Sequence, residues 1–225
     1  MKRFWHEVTV ADRAIRLDGK PVRTPGRLPL TLPSDALAAA VADEWRAVTG
    51  EIDPRAMPLT GLANAAIDRI APDPTTFAAG LARYGESDLL YYRAADPPEL
   101  AARQAAAWNP PLAWAERRFG VTFELALGVM PQAQPADTVA ALAGAVAGQD
   151  AFTLAALSPL VTVTGSLVLA LALVEGAITA ESAWTAAELD EDWQAERWGC
   201  DPLAEAARAA RCKAFDGGVR FLAAL

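Results

Sequence analysis

Histidine and cysteine are almost missing from this chain: one histidine, His6, and two cysteines, Cys200 and Cys212, among 225 residues. Two cysteines in a region of helical periodicity exclude a disulfide framework. Three scattered Cys and His side chains cannot supply the roughly four paired ligands of structural zinc. The thiols suit a reducing compartment. Phosphate-cradling glycines are missing too: neither G-x-G-x-x-G nor G-x-x-x-x-G-K-[ST] occurs, and Gly217-Gly218 has no strand before it, so no nucleotide site is expected. Any Ser or Cys nucleophile would depend on His6, with no G-x-S-x-G elbow beside it. His6 sits beside Trp5 in strand-like texture and reads as a packed or surface residue.

Positive charge is the minority sign. Twenty basic residues, only three of them lysine, face 28 acidic ones for a net charge of -8, which argues against nucleic acid and anionic membranes as partners. The imbalance is uneven: residues 1–33 sum to +4, and residues 181–201 to -6. Nor is there a long apolar run. Leu160 to Val174 is uncharged for fifteen residues but holds Thr162, Thr164, Gly165 and Ser166, and a membrane span needs about 20 apolar residues. It reads as a buried helix opened by Ser158 as N-cap and Pro159 at the first helical position. The opening MKRFWHEVTV lacks the apolar core of a signal peptide and the long Arg/Ser-rich stretch of a transit peptide, so a bacterial cytoplasm is expected.

What the chain has in abundance is alanine, 52 residues, within a 53% apolar composition, together with seven tryptophans. Small side chains favour close helix packing, and the indoles must fill the gaps or anchor an interface. Strand texture covers Phe4–Val10, Ala14–Leu17, Val22–Thr24 and Leu28–Leu32. Asp18-Gly19 marks a type I′ hairpin, and Pro21, Pro25 and Pro29 confine the later segments to edges or bulges. At Pro33-Ser34 the period changes to helical. Helices are expected at about 34–49, 60–70, 75–92, 98–119, 136–148, 159–175, 180–198 and 203–223, with one late strand at VTFEL after Gly120.

Taken as one helix, 180–198 puts Trp184, Ala187, Glu191, Ala195 and Trp198 on a single face, with Leu189 and Trp193 as a second apolar edge. A carboxylate between two indoles reads either as a structural partner of an arginine or an indole N–H, or as the charged centre of a recognition site. Carboxylates are numerous enough to leave a two-carboxylate hydrolase formally open, though nothing specifies one.

The segments RFW…V…LDGKPVRTP, LPSDALAAAVADEW, IDPRAMPLTGLANAAID, YGESDLLYYR, QAAAWNPPLAW and LDEDWQAERWG, in that order, resemble the Atp12 family of F1 ATP synthase assembly chaperones. The resemblance implies an α+β fold: a small N-terminal antiparallel β-rich domain over 1–33, extending to about 50 with the first helix, followed by a C-terminal orthogonal α-helical bundle over 34–225. It also implies a bacterial, cytoplasmic chaperone with eukaryotic relatives in the mitochondrial matrix. Such a protein takes no cofactor, metal or nucleotide and does not insert into the membrane. It binds the unassembled F1 α subunit and shields its interface until the β subunit joins. Within LDEDWQAERWG, the partner-binding residues implied are Asp190, Glu191, Gln194 and Trp198, with Trp184 joining them from the helical-wheel reading; either Asp190 or Glu191 is the key acid. Gly19 matches a family glycine whose positive φ no side chain suits. The alternatives are the paired-carboxylate hydrolase and a scaffold subunit of a finished complex.

Overall fold

The computed structural model describes residues 2–128 and 130–225. Two compact units emerge, Met1–Phe77 with Asp150–Ala156 and Asp216–Leu225, and Ala78–Gln149 with Leu157–Phe215. The change from strand to helix falls at Pro33-Ser34, where Ser34 caps the first helix by accepting the Leu37 N–H at 3.0 Å.

In the first unit, β1 (Val8–Ala11), β2 (Ala14–Leu17) and β3 (Lys20–Pro21) form an antiparallel sheet in that order. Asp18 (φ 49°) and Gly19 (φ 77°) make the expected hairpin turn. The Asp18 carboxylate accepts the Glu7 and His6 N–H groups at 2.8 and 3.0 Å, and these donors hold its carboxyl below the usual range. A second left-handed pair, Asp12 (φ 53°) and Arg13 (φ 57°), turns β1 into β2 with no glycine to announce it. The expected strands are shorter than their texture. Phe4–Val10 becomes strand only from Val8, and 22–24 and 28–32 shrink to the single bridges Arg23↔Pro29 and Ala14↔Thr31. Prolines cannot donate to a ladder, and a turn closed by Arg27 N–H on the Thr24 carbonyl (2.8 Å) takes up the chain between.

Helix α1 (Asp35–Ala47) buries Leu37 and Val41 in a core that includes Ile15, Leu30, Leu59 and Phe221. Its Glu44 is buried because it caps α2 (Pro58–Ala65), whose own N-cap, Met57, has no side-chain acceptor. The Glu44 carboxylate accepts Leu59 N–H, Thr60 N–H and Thr60 Oγ1, each at 2.8 Å, placing negative charge where a helix start favours it. A π turn, Ala66–Ile70, continues from α2. Its Asp68 accepts Thr24 Oγ1 at 2.6 Å and Gly26 N–H at 2.8 Å.

Helix α3 (Pro74–Ala82) leads into the second unit, followed by β4 (Tyr92–Arg93), α4 (Pro98–Phe119), β5 (Ala126–Leu127), α5 (Ala136–Ala147), α6 (Ala151–Thr164), α7 (Leu167–Val174), α8 (Ala180–Ala187), α9 (Leu189–Trp198) and α10 (Pro202–Ala223). The expected helix over 75–92 breaks after Ala82 into two short 3₁₀ turns and β4, and the late strand lies at 126–127 rather than at VTFEL, pairing parallel with β4. The expected helix over 159–175 is two helices. Its first half starts at Ala151, with Pro159 inside the helix rather than at its start. Asp150 accepts Phe152 N–H at 2.8 Å and does the capping expected of Ser158. Gly165, at φ 66°, then ends α6.

Buried Asp88 joins that break to the YGESDLLYYR segment. Its two oxygens accept Leu90 N–H and Val168 N–H, each at 3.0 Å, and Leu89 N–H reaches the Gly165 carbonyl at 3.0 Å. Nearby, Trp108 is buried with Leu90, Tyr91, Leu112, Val168 and Leu169, its Nε1–H donating to the Ala186 carbonyl at 2.8 Å.

Two outcomes are expected. Gly19→Val places a β-branched residue at positive φ and should cost about 1 kcal/mol or more in urea unfolding. Burial pushes the Asp88 carboxyl up to about 6 against the pull of the Val168 and Leu90 N–H groups. A carboxyl raised above its unfolded value binds its proton more tightly when folded. That stability is complete below the unfolded value of 3.8 and is lost as pH rises through about 6. The stability of the native protein relative to Asp88→Asn should therefore fall from about pH 4 to about pH 7, by on the order of 2–3 kcal/mol. A relative stability that rose with pH would show the N–H bonds outweighing burial.

Candidate functional site

The acidic segment folds as two helices. α8 stops at Ala187 and α9 starts at Leu189, with Glu188 at φ −95°, ψ 8° between them. The single helical wheel does not survive this break. Trp184 is half-buried and packs on Phe215, ring centroids 5.4 Å apart, whereas Trp198 is 78% exposed. Glu191 is exposed and does not lie between two indole stripes. The buried carboxylate is Glu188, 2% exposed, a residue that the sequence reading passed over. It accepts Arg211 Nη2 at 2.8 Å and meets Arg208 Nε at 3.2 Å, while Arg208 Nη1 pairs with Asp192 at 2.5 Å. The structural pairing with arginine considered for Glu191 is thus held three residues earlier. The break turns α9 so that Trp193 faces inward and Glu191 and Gln194 face solvent.

A cleft of about 820 Å³ opens beside α9. Its lining includes Asp190, Gln194, Trp193 and Trp198, and from the other wall Arg93, Asp96 and Gln104. Gln104, at the N-terminal end of α4, links the walls: its Oε1 accepts Ala94 N–H at 2.8 Å and its Nε2 donates to Asp190 Oδ1 at 2.8 Å. Those partners fix the orientation of the amide, since a flip would face like with like. Arg93 is buried, donates to Asn109 Oδ1 at 2.9 Å and stacks over Trp108 at 5.0 Å. Burial pulls its guanidinium down from its usual value, with the charge of Asp190 opposing. Trp193 carries Arg103 at 4.7 Å and Arg197 at 4.4 Å over its ring, and Arg103 pairs with Glu196 at 2.8 Å.

A second cleft, about 380 Å³, shares Gln194 and Trp198 with the first and is also lined by Glu191, Asp201, Glu205, Arg208 and Arg211. Of the residues expected at the site, the first cleft gathers Asp190, Gln194 and Trp198, the second takes Glu191 with Gln194 and Trp198, and Trp184 lines neither. Arg93, Asp96 and Gln104 were not singled out from sequence, although Arg93 stands in YGESDLLYYR and Gln104 opens QAAAWNPPLAW. Among the described residues, no group of three or more His, Cys, Asp or Glu side chains could hold a metal ion, and no helix is long and apolar enough to cross a membrane.

The family model of the ATP12 chaperone protein matches residues 2–116 of this fold. The chain belongs to the ATP12 chaperone family. Its likeness to solved members extends over both units. It is 44% identical to Atp12 from Paracoccus denitrificans, with a TM-score of 0.92, covering 99% of this chain and 97% of that one. A lysine-for-aspartate mutant of the same Paracoccus protein superposes at a TM-score of 0.94 with the same identity and coverage. A protein from Agrobacterium tumefaciens is also 44% identical at a TM-score of 0.94, with 99% of this chain covering 85% of it. The three-strand antiparallel sheet followed by a mainly helical region is therefore the family's fold.

The two acids on either side of the α8–α9 break separate by experiment. Glu188→Gln removes the buried charge and leaves Arg208 and Arg211, each more than a third exposed, to solvent and to Asp192, and should lower stability by roughly 1–3 kcal/mol. Glu191→Gln, exposed, should change it by less than about 0.5 kcal/mol. Thermal melts of the two variants in parallel check both values, and equal melting temperatures would refute the assignment.

Proposed function

We propose that this protein is an ATP-independent assembly chaperone that binds the unassembled F1 ATP synthase α subunit in a bacterial cytoplasm and covers the interface later taken by β. Membership of the ATP12 chaperone family carries this reading. The surface of α9 supports it: an exposed indole, Trp198, flanked by clefts containing Asp190 and Glu191, suits recognition of an apolar surface with basic neighbours. Asp190, Glu191, Gln194 and Trp198 make the contacts, and Trp184 contributes by holding α8 against Phe215. Binding of the free subunit stabilises it by mass action, so no turnover and no nucleotide are needed.

The test is suppression of aggregation of purified α subunit, with and without ATP, together with capture from lysate. Protection without ATP, and recovery of α without β, are expected. Recovery of intact F1 would point instead to a scaffold subunit, and a strict ATP requirement would overturn passive shielding. Glu191→Lys should abolish protection, and Asp190→Lys should weaken it to a lesser degree, with little change in melting temperature for the exposed Glu191. Unaltered protection by both variants would remove the acidic face from the interface.

A further inference from the structure

Helix α10 begins without a core to lie on. Every residue from Pro202 to Ala207 is exposed, Leu203 at 80%, and the first buried side chain of the helix is Phe215. What ties this stretch down is charge: Arg208 and Arg211 meet Glu188 at 3.2 and 2.8 Å, and Arg208 meets Asp192 at 2.5 Å. Between α9 and the start of α10 the groove of about 380 Å³ stays open.

Each wall of this groove presents one helical stripe. From α9 come Glu191, Gln194, Ala195 and Trp198, and from α10 come Ala204, Ala207, Arg208 and Arg211. Both sets repeat at i, i+3, i+4 and i+7, so each is a single helix face two turns long, about 10 Å. Ala195, Ala204 and Ala207 keep the walls low enough for a third backbone to come close, and the Trp198 indole, 78% exposed, stands beside them. Two stripes of this period accept the ridge of another helix, whereas a strand, with period two, matches neither wall.

The charge of the groove selects among helices. Its cations, Arg208 and Arg211, are already engaged by Glu188 and Asp192. Its carboxylates are not so engaged: among the described residues neither Glu191 nor Glu205 has an ion-pair partner, and Asp201 accepts the Leu203 N–H at 3.3 Å. An occupant therefore meets uncompensated negative charge beside an apolar floor.

We propose that the α9–α10 groove seats one amphipathic helix, apolar along its ridge and basic on its flanks; on the chaperone reading above, that helix belongs to the subunit the protein holds. Its apolar side chains at i, i+4 and i+7 lie over the alanines and against Trp198, and its Lys and Arg side chains reach Glu191 and Glu205 on opposite walls.

The Trp198 indole N–H resonance, identified by its loss in Trp198→Phe, reports on the groove in ¹⁵N-labelled full-length protein. Three peptides of about 15 residues, long enough to form a helix, serve as probes: one with leucine at i, i+4 and i+7 flanked by lysine and arginine, one of the same composition with the leucines scattered around the helix, and one with the leucine stripe flanked by glutamate. The first should shift the resonance at roughly tenfold lower concentration than the acidic peptide, the scale of two or three exposed ion pairs, and Glu191→Gln combined with Glu205→Gln should remove most of that difference. An equal response to the scattered peptide would overturn the helical occupant, and an equal response to the acidic one would overturn the role of charge. A second arm uses the α subunit. Ala207→Trp, at an exposed helix position, should melt like the native protein, weaken binding of the first peptide and protect α poorly. Full protection by Ala207→Trp would overturn the groove as the client's seat, and a dimer of the native protein that Ala207→Trp dissociates would replace the client helix by a second copy. Failure of the native protein to protect would overturn the chaperone reading, and the peptide titration then decides the groove alone.

Discussion

A buried carboxylate between two guanidinium groups decides how the acidic end of this chain is arranged. Glu188 lies out of water, and its charge is tolerable only because Arg208 and Arg211 on α10 meet it. Holding that geometry requires the backbone to leave the helix at Glu188, and leaving the helix re-aims everything after it. Trp193 goes inward, Asp190 comes within reach of Gln104, and Glu191, Gln194 and Trp198 stay in solvent. The proposed recognition surface is thus a by-product of satisfying one ion, and its side chains are displayed by helices fixed elsewhere.

The same logic governs the other breaks. Asp88 holds two backbone N–H groups from segments about 80 positions apart, and Glu44 caps a helix it does not belong to. Glu44 gives α2 the acceptor that its own N-cap, Met57, omits, and Asp88 adds a second acceptor at the start of α7, where Ser166 already accepts Leu169 N–H. In an alanine-rich chain such fixed polar links matter more than usual. Small side chains pack helices closely but specify their registers weakly, so a few carboxylates with several donors each select one arrangement from many similar ones.

Legibility from sequence followed whether the deciding contact was local. The Asp18-Gly19 hairpin and helices α4, α5 and α10 depend on neighbours within a turn or two, and their positions were readable to within a residue or two. The runs 75–92, 159–175 and 180–198 were read as continuous because periodicity cannot see a distant acceptor, and each breaks at or beside one. Asp12-Arg13 was missed because no glycine marks its left-handed turn. At the site, Asp190, Gln194 and Trp198 were found because they share one short segment and converge on one cleft. Gln104, Arg93 and Asp96 were not, because only the tertiary fold brings the start of α4 opposite α9.

An indole left 78% in solvent is ordinarily a hazard, because the surface that grips a client grips a sibling equally well. Here the hazard is countered by its surroundings. Residues 181–201 carry a net charge of -6, so two copies approaching through α9 bring like fields together before their tryptophans can touch. A basic surface meets no such barrier. On the chaperone reading, the colloidal behaviour of the free protein and its choice of client therefore come from one distribution of charge: attractive toward cations, repellent toward itself.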